Sequence, residues 1–200
     1  MSEKPLKKCK RLPRQFYARP VLVVAEELLG KLLVRKTLDG RIVARIVEVE
    51  AYGGSDDPAS HAYKGITERN RVMFGKPGFA YVYFIYGNHY CLNVKAETEG
   101  VPGAVLVRAA EVIQGIKQAR KNRGAYSVKE LSNGPGKLTK ALHISKAENG
   151  LDLVQSKDLY ICESEGDNGW GISTSARVGI RQGIDRPWRF RIESSGPISD

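Results

Sequence analysis

The stretch Ala80–Val94, AYVYFIYGNHYCLNV, decides how the chain is read. Aromatic and β-branched residues flank a glycine and an asparagine, which predicts two strands around a turn at Tyr86-Gly87-Asn88-His89. Tyr81, Tyr83, Tyr86 and Tyr90 are four of the nine tyrosines, within ten residues. Tyr81 and Tyr83 suit an aromatic sheet core, and Tyr83 could instead line a pocket. Tyr86 sits beside a glycine at an expected tip, and an aromatic side chain on a projecting tip can wedge between base pairs in a minor groove.

Upstream, Pro20 suits a helix start, Val21–Leu29 is the apolar body and Gly30 the expected C-cap. Lys31–Thr37 and Arg41–Tyr52 read as strands joined at Asp39-Gly40, a strong hairpin signal. Residues 53–79 are rich in glycine, proline and polar groups, a loop long enough to suggest function or short irregular helix. Downstream, Ala104–Ala109 reads as a strand and Ile113–Asn122 as a helix ending at Gly124. Asn133-Gly134-Pro135-Gly136 precedes a helix at Lys137–His143, and Leu159–Glu163 and Trp188–Glu193 read as strands. No repeat or composition break divides the chain, so the expected fold is one α+β domain over residues 15–200 behind a flexible basic tail at 1–14.

The 200 residues carry 32 Lys+Arg against 22 Asp+Glu, a net charge of +10. Residues 1–14 hold +5, 117–146 hold +7 and 177–191 hold +4, while 148–167 hold −5. Several basic segments offset by an acidic one suggest a molecule with a positive side and an anionic partner. No apolar run spans a bilayer, and the basic N-terminus lacks the apolar segment of a secretory signal. Cys9, Cys91 and Cys162 are too sparse for a disulfide framework or a cysteine zinc site, and His61, His89 and His143 lack metal-ligand spacing. The expectation is a soluble, intracellular chain without metal or cofactor.

Strand alternation puts Glu48, Glu50 and Tyr52 on one face, where a glutamate can deprotonate a water; a polar strand edge is the plainer alternative. His61 lies in the polar loop Ser55–His61, and its ring could stack on a ligand. Arg108, among the apolar residues of Val105–Ala109, either pairs with a buried carboxylate or lines a polar site. Gly134, Gly136 and Lys137 could hold a backbone phosphate at a helix start; the spacing is not that of a Walker A loop.

These pieces together resemble the alkyladenine (3-methyladenine, or alkylpurine) DNA glycosylase family. The matching text is Arg45–Tyr52, Ser60-His61, Arg69-Asn70-Arg71 with Met73-Phe74, Lys76-Pro77-Gly78, Tyr81–Gly87, Cys91-Leu92-Asn93, Leu106–Ala109, Gly134-Pro135 with Lys137-Leu138, and Arg177-Val178-Gly179. The resemblance implies a curved, mainly antiparallel sheet flanked by helices, with a protruding DNA-intercalating hairpin. It implies Glu50 as general base, with Arg108 positioning the water and nucleotide. Tyr52 would stack on one face of an extruded base, with His61 and Tyr83 against the other. Asn93 would exclude the 2-amino group of guanine, Ala59 and His61 would offer main-chain groups, and Tyr86 would fill the gap in the duplex. The implied activity is monofunctional hydrolysis of alkylated or deaminated purines from double-stranded DNA, by a monomer in bacterial cytoplasm or nucleoid or in a eukaryotic nucleus. Two rivals remain on the residues alone: a non-catalytic duplex-binding protein, and a glycoside hydrolase using Glu48 and Glu50.

Overall fold

The computed structural model describes residues 9–85, 87–124, 127–164 and 169–193. Its centre is β2 (Gly40–Tyr52), a 13-residue strand long enough to serve several neighbours. Along one edge it pairs with β5 (Ala104–Gln114); along the other, first with β1 (Leu32–Thr37) and then with β8 (Arg189–Ile192). The sheet continues outward as β3 (Ala80–Ile85), β4 (His89–Lys95), β5, β2, β1 and β6 (Leu159–Cys162), with β7 (Ile172–Ser175) added to β8. All pairings are antiparallel, and the sheet curls on itself.

The two central strands change phase together. In β2, Ile42, Ala44 and Ile46 enter the main core; after them Val49 and Ala51 do. Ile46 faces Ala110 but Glu48 faces Ala109, so Val47 is an extra residue; Val49 then faces Val107, so Arg108 is an extra residue on β5. In β5 the core residues likewise switch from Val105 and Val107 to Ala110 and Val112. A one-residue bulge moves everything beyond it to the opposite face. Two bulges back to back restore the register, and both strands turn their polar residues away from the core.

Helices cover the apolar face. α1 is the short turn Arg14–Tyr17. α2 (Val21–Leu28) buries Val21, Val24, Ala25 and Leu28, as the Pro20 start predicted. α3 spans Ile116–Arg123 and α4 spans Pro135–Ala141, which packs on β4. The expected start of α3 at Ile113 is corrected: β5 runs to Gln114 because β2 is long enough to pair Val43 with it. Gly115 then breaks the strand at φ 77, where an added Cβ would collide with the Arg41 carbonyl oxygen. α4 begins two residues earlier than expected, with Pro135 at its first position. The β3–β4 turn is tighter than expected, since His89 already pairs with Ile85.

Two further expectations change. Cys9 and Cys162 form a disulfide, joining the start of the described chain to the outer strand β6. Of the stretch expected as a flexible tail, residues 9–14 are docked: Arg11 bridges to Cys162 and Leu12 is fully buried, while 1–8 lie outside the described residues.

Lys95, at the end of β4, is completely buried. Its ammonium donates to the carbonyls of Ala96, Glu97 (3.0 Å), Thr98 (3.2 Å) and Val101 (2.9 Å), closing the 96–101 loop around one charge. Burial pushes its pKa down to about 8, with Glu97 and Glu99 partly opposing. The unfolded chain keeps this proton to its ordinary value of 10.5, so between about 8 and 10.5 the unfolded state binds more protons. The Lys95 contribution to stability therefore rises with pH across that window and is lost as pH falls through about 8. Urea melts of wild type and Lys95→Met over this range should show a stability difference that climbs with pH in favour of wild type. A flat difference contradicts the assignment.

Candidate active site

The polar face of the curled sheet, closed over by the 53–79 and 176–183 segments, encloses a cavity of about 810 Å³. That lies within the roughly 300–1,000 Å³ of small-molecule sites. The phase change described above explains its lining: Tyr52, Leu106 and Arg108 face it beyond the bulges. Tyr81, Tyr83, Cys91 and Asn93 reach it from β3 and β4, on the side opposite Val82 and Leu92 of the main core.

Glu50 is fully buried and lies behind this wall, held by three residues that do line it. The Tyr52 hydroxyl donates to Oε2 at 2.8 Å, the Val178 amide donates to Oε1 at 2.7 Å, and Arg108 Nη1 lies 3.3 Å from Oε1. A buried carboxylate is tolerable when paired and hydrogen-bonded in this way. Burial, and then the Glu50 charge, raise the Tyr52 pKa well above its ordinary value, so the phenol keeps the proton it donates. Arg108 Nε also donates to Glu48 at 2.9 Å, and Arg189 Nε donates to the same oxygen at 2.8 Å. Burial alone would lower the Arg108 pKa; Glu50 and Glu48 more than offset this and hold it above its ordinary value. Arg108 therefore both pairs with carboxylates and lines the cavity. Glu48 is engaged by both Arg108 and Arg189 on a single oxygen, Oε1.

The aromatic wall is a connected cluster. His61 Nδ1 and the Tyr81 hydroxyl are 2.9 Å apart, and the His61 and Tyr83 rings meet edge to face at 4.7 Å. Tyr81 and Tyr83 lie 5.3 Å apart, and Arg69 lies over the Tyr83 ring at 5.3 Å. Asn93 is almost fully buried, and its Nδ2 donates to the Tyr81 carbonyl at 3.1 Å, which fixes the side-chain amide. The Ala59 amide donates to Asp57 and the His61 carbonyl accepts from Asn70. Among the described residues, this leaves the Ala59 carbonyl and the His61 amide without a hydrogen-bond partner.

The cavity mouth is basic, with Arg123, Lys137 and Arg181 around it. Gly134 and Gly136 line it too, but Gly136 has a packing reason as well: a Cβ there would meet the His89 ring carbon at 2.7 Å. Lys137 Nζ donates to Asn133 at 2.9 Å and remains exposed. Tyr86 lies outside the described residues. Local sequence marks no role for Asp57, and none for Arg177 or Val178 beyond their place in the Arg177-Val178-Gly179 motif. Val178 and Glu50 are 128 residues apart, and a main-chain donor leaves no side-chain signature.

His61 is open to the cavity, yet the protein around it and then the Arg69 charge lower its pKa from the ordinary 6.5. The ring is therefore neutral at pH 7. Imidazole carbon–proton resonances followed by NMR should titrate below 6.5, and Arg69→Gln should move that value upward. A midpoint at or above 6.5 in wild type contradicts the electrostatics described.

A model of the methylpurine-DNA glycosylase (MPG) family matches residues 15–196. Similar proteins come from Carboxydothermus hydrogenoformans (48% identical, covering 94% of this chain and 98% of that protein), Methanocella arvoryzae (48%, 94% and 95%) and Desulfitobacterium hafniense (48%, 95% and 98%). Each carries the name "Putative 3-methyladenine DNA glycosylase". A sheet whose polar face carries a buried carboxylate behind an aromatic cavity, and a match along nearly the whole length, place the chain in one family: it belongs to the methylpurine-DNA glycosylases and is a DNA glycosylase that hydrolyses N-glycosyl bonds.

Proposed function

We propose that the chain acts as a monomer on double-stranded DNA and removes alkylated or deaminated purines, with Glu50 as general base for the attacking water. The observation that carries this reading is the placement of the Glu50 carboxylate, anchored by Tyr52, Val178 and Arg108, directly behind the aromatic cavity. Oε1 holds two of those partners. Oε2 accepts only from Tyr52 among the described residues, so it keeps a lone pair for water.

A stacked base cannot be attacked in this way, so the nucleotide must first leave the duplex, at a cost of about a few kcal/mol that is least for damaged bases. Tyr86 would fill the gap. The base would enter between Tyr52 on one face and His61 and Tyr83 on the other, with Asn93 opposing the 2-amino group of guanine. Alkylation at N3 or N7 makes the purine cationic, which aromatic faces attract. A neutral His61 spares that cation a repulsive neighbour. Glu50 would take a proton as the water oxygen bonds to the sugar carbon. The glycosidic electron pair leaves with the base, which is already a good leaving group when cationic. Hypoxanthine or ethenoadenine would need a proton to depart as well. Arg108 would orient the water and nucleotide. The basic mouth, including Gly134, Gly136 and Lys137, would hold backbone phosphates. Among the described residues, Lys137 is the one lysine in the cavity lining and is engaged with Asn133, so none of their amines is placed for Schiff-base chemistry.

The test is incubation of the protein with duplexes carrying single 3-methyladenine, 7-methylguanine, hypoxanthine or ethenoadenine residues. Free base should appear from at least the alkylated substrates, leaving intact strands that break only on alkali treatment. Release of no damaged purine overturns the proposal, and strand cleavage without alkali overturns its monofunctional chemistry.

A further inference from the structure

Arg177 and Asp57 form an ion pair whose two side chains are both fully buried. The contact is bidentate, with Nη1 to Oδ2 at 2.6 Å and Nη2 to Oδ1 at 2.7 Å. Nη1 also donates to the Ala51 carbonyl at 2.9 Å, and Nη2 reaches the Gly183 carbonyl at 3.5 Å. Asp57 in turn accepts from the Gly53 amide at 2.9 Å and the Ala59 amide at 3.2 Å. The guanidinium carbon stands 4.7 Å from the Tyr52 ring centre and 5.1 Å from that of Trp188. The residue after Arg177 is Val178, whose amide holds Glu50.

One pair therefore touches three segments that meet at the reaction: the end of β2, the loop carrying Ala59 and His61, and the segment carrying Val178. Burying such a pair is weak evidence of stabilisation, because desolvation consumes most of the attraction. What its geometry does fix is relative position. The planar fork admits one arrangement of the two loops.

We propose that Arg177 and Asp57 are positioning residues, which hold the Glu50 carboxylate and the base-gripping loop at the separation the reaction requires. The proposal rests on the reading of Glu50 as general base. Neither residue reaches the substrate; they act through Val178, Tyr52 and Ala59. Gly183 belongs to the same device. It sits at φ 63, and a Cβ there would meet Arg177 Nη2 at 3.0 Å and Asp57 Oδ1 at 3.5 Å.

The experiment compares wild type with Arg177→Lys, which keeps the charge but loses the fork, and with Gly183→Ala, which keeps both partners but crowds them. Single-turnover base release is measured on a duplex carrying one ethenoadenine and on one carrying 7-methylguanine, and affinity on the undamaged duplex. Release should fall about 10- to 100-fold in Arg177→Lys, and less in Gly183→Ala, because small misplacements near reacting atoms are this costly. Affinity for undamaged DNA should stay within about twofold, since the phosphate contacts that set it lie elsewhere. Folded variants that release base at the wild-type rate overturn the positioning role, as does a rate loss matched by an equal loss of affinity. If Arg177→Lys does not fold, Gly183→Ala decides. Wild type that releases base from neither duplex overturns the reading of the site, which separates that failure from failure of the pair.

Discussion

The site exists because β2 and β5 change phase together at Val47 and Arg108. Had the alternation of Ile42, Ala44 and Ile46 continued, Glu48, Glu50 and Tyr52 would point into the helix-covered core with no water and no partners. The two bulges send them to the other face instead, and send Leu106 and Arg108 with them. The carboxylate and the arginine that neutralises it thus arrive on one surface through the same local device. Bulges beside functional sites re-aim side chains in this way. Everything else in the site is built against that surface: aromatic rings from β3 and β4, the His61 loop above, and the Val178 segment that closes over Glu50.

Electrostatics divides into two scales. The net charge of +10 and the basic cavity mouth supply a sequence-independent attraction for phosphate. Inside, charges alternate along a chain of contacts, from Arg189 to Glu48, Arg108 and Glu50. In that chain each carboxylate is matched by a neighbouring guanidinium, while Arg69 lies over the Tyr83 ring of the aromatic wall.

Much of this was legible in the sequence. The Arg41–Tyr52 strand, the hairpin after Ala80 and the unusual glutamate–tyrosine strand end all follow from local pattern, and the family resemblance named the pocket residues that the structure brings together. The misreadings share a cause. Ile113 looked helical because its neighbours are spaced like one helix face, but a partner strand extended β5 through it. Cys9 and Cys162 looked scattered because 153 residues separate them. Val178 and the Arg177–Asp57 pair act across more than a hundred residues, one of them through a main-chain amide. The bulges did leave a trace, since the apolar phase slips between Ile46 and Val49, yet that slip acquires meaning only once β5 is known to slip opposite it.

In the proposed mechanism the carboxylate of Glu50 performs the chemistry rather than merely holding its neighbours. Glu50→Gln preserves the shape and still offers an oxygen to Tyr52 or Val178, but cannot accept a proton from water. Single-turnover release from a duplex containing one ethenoadenine, with affinity for that duplex measured alongside, separates the two roles. The rate should fall about 10²- to 10⁴-fold at nearly unchanged affinity. Release at close to the wild-type rate would contradict it.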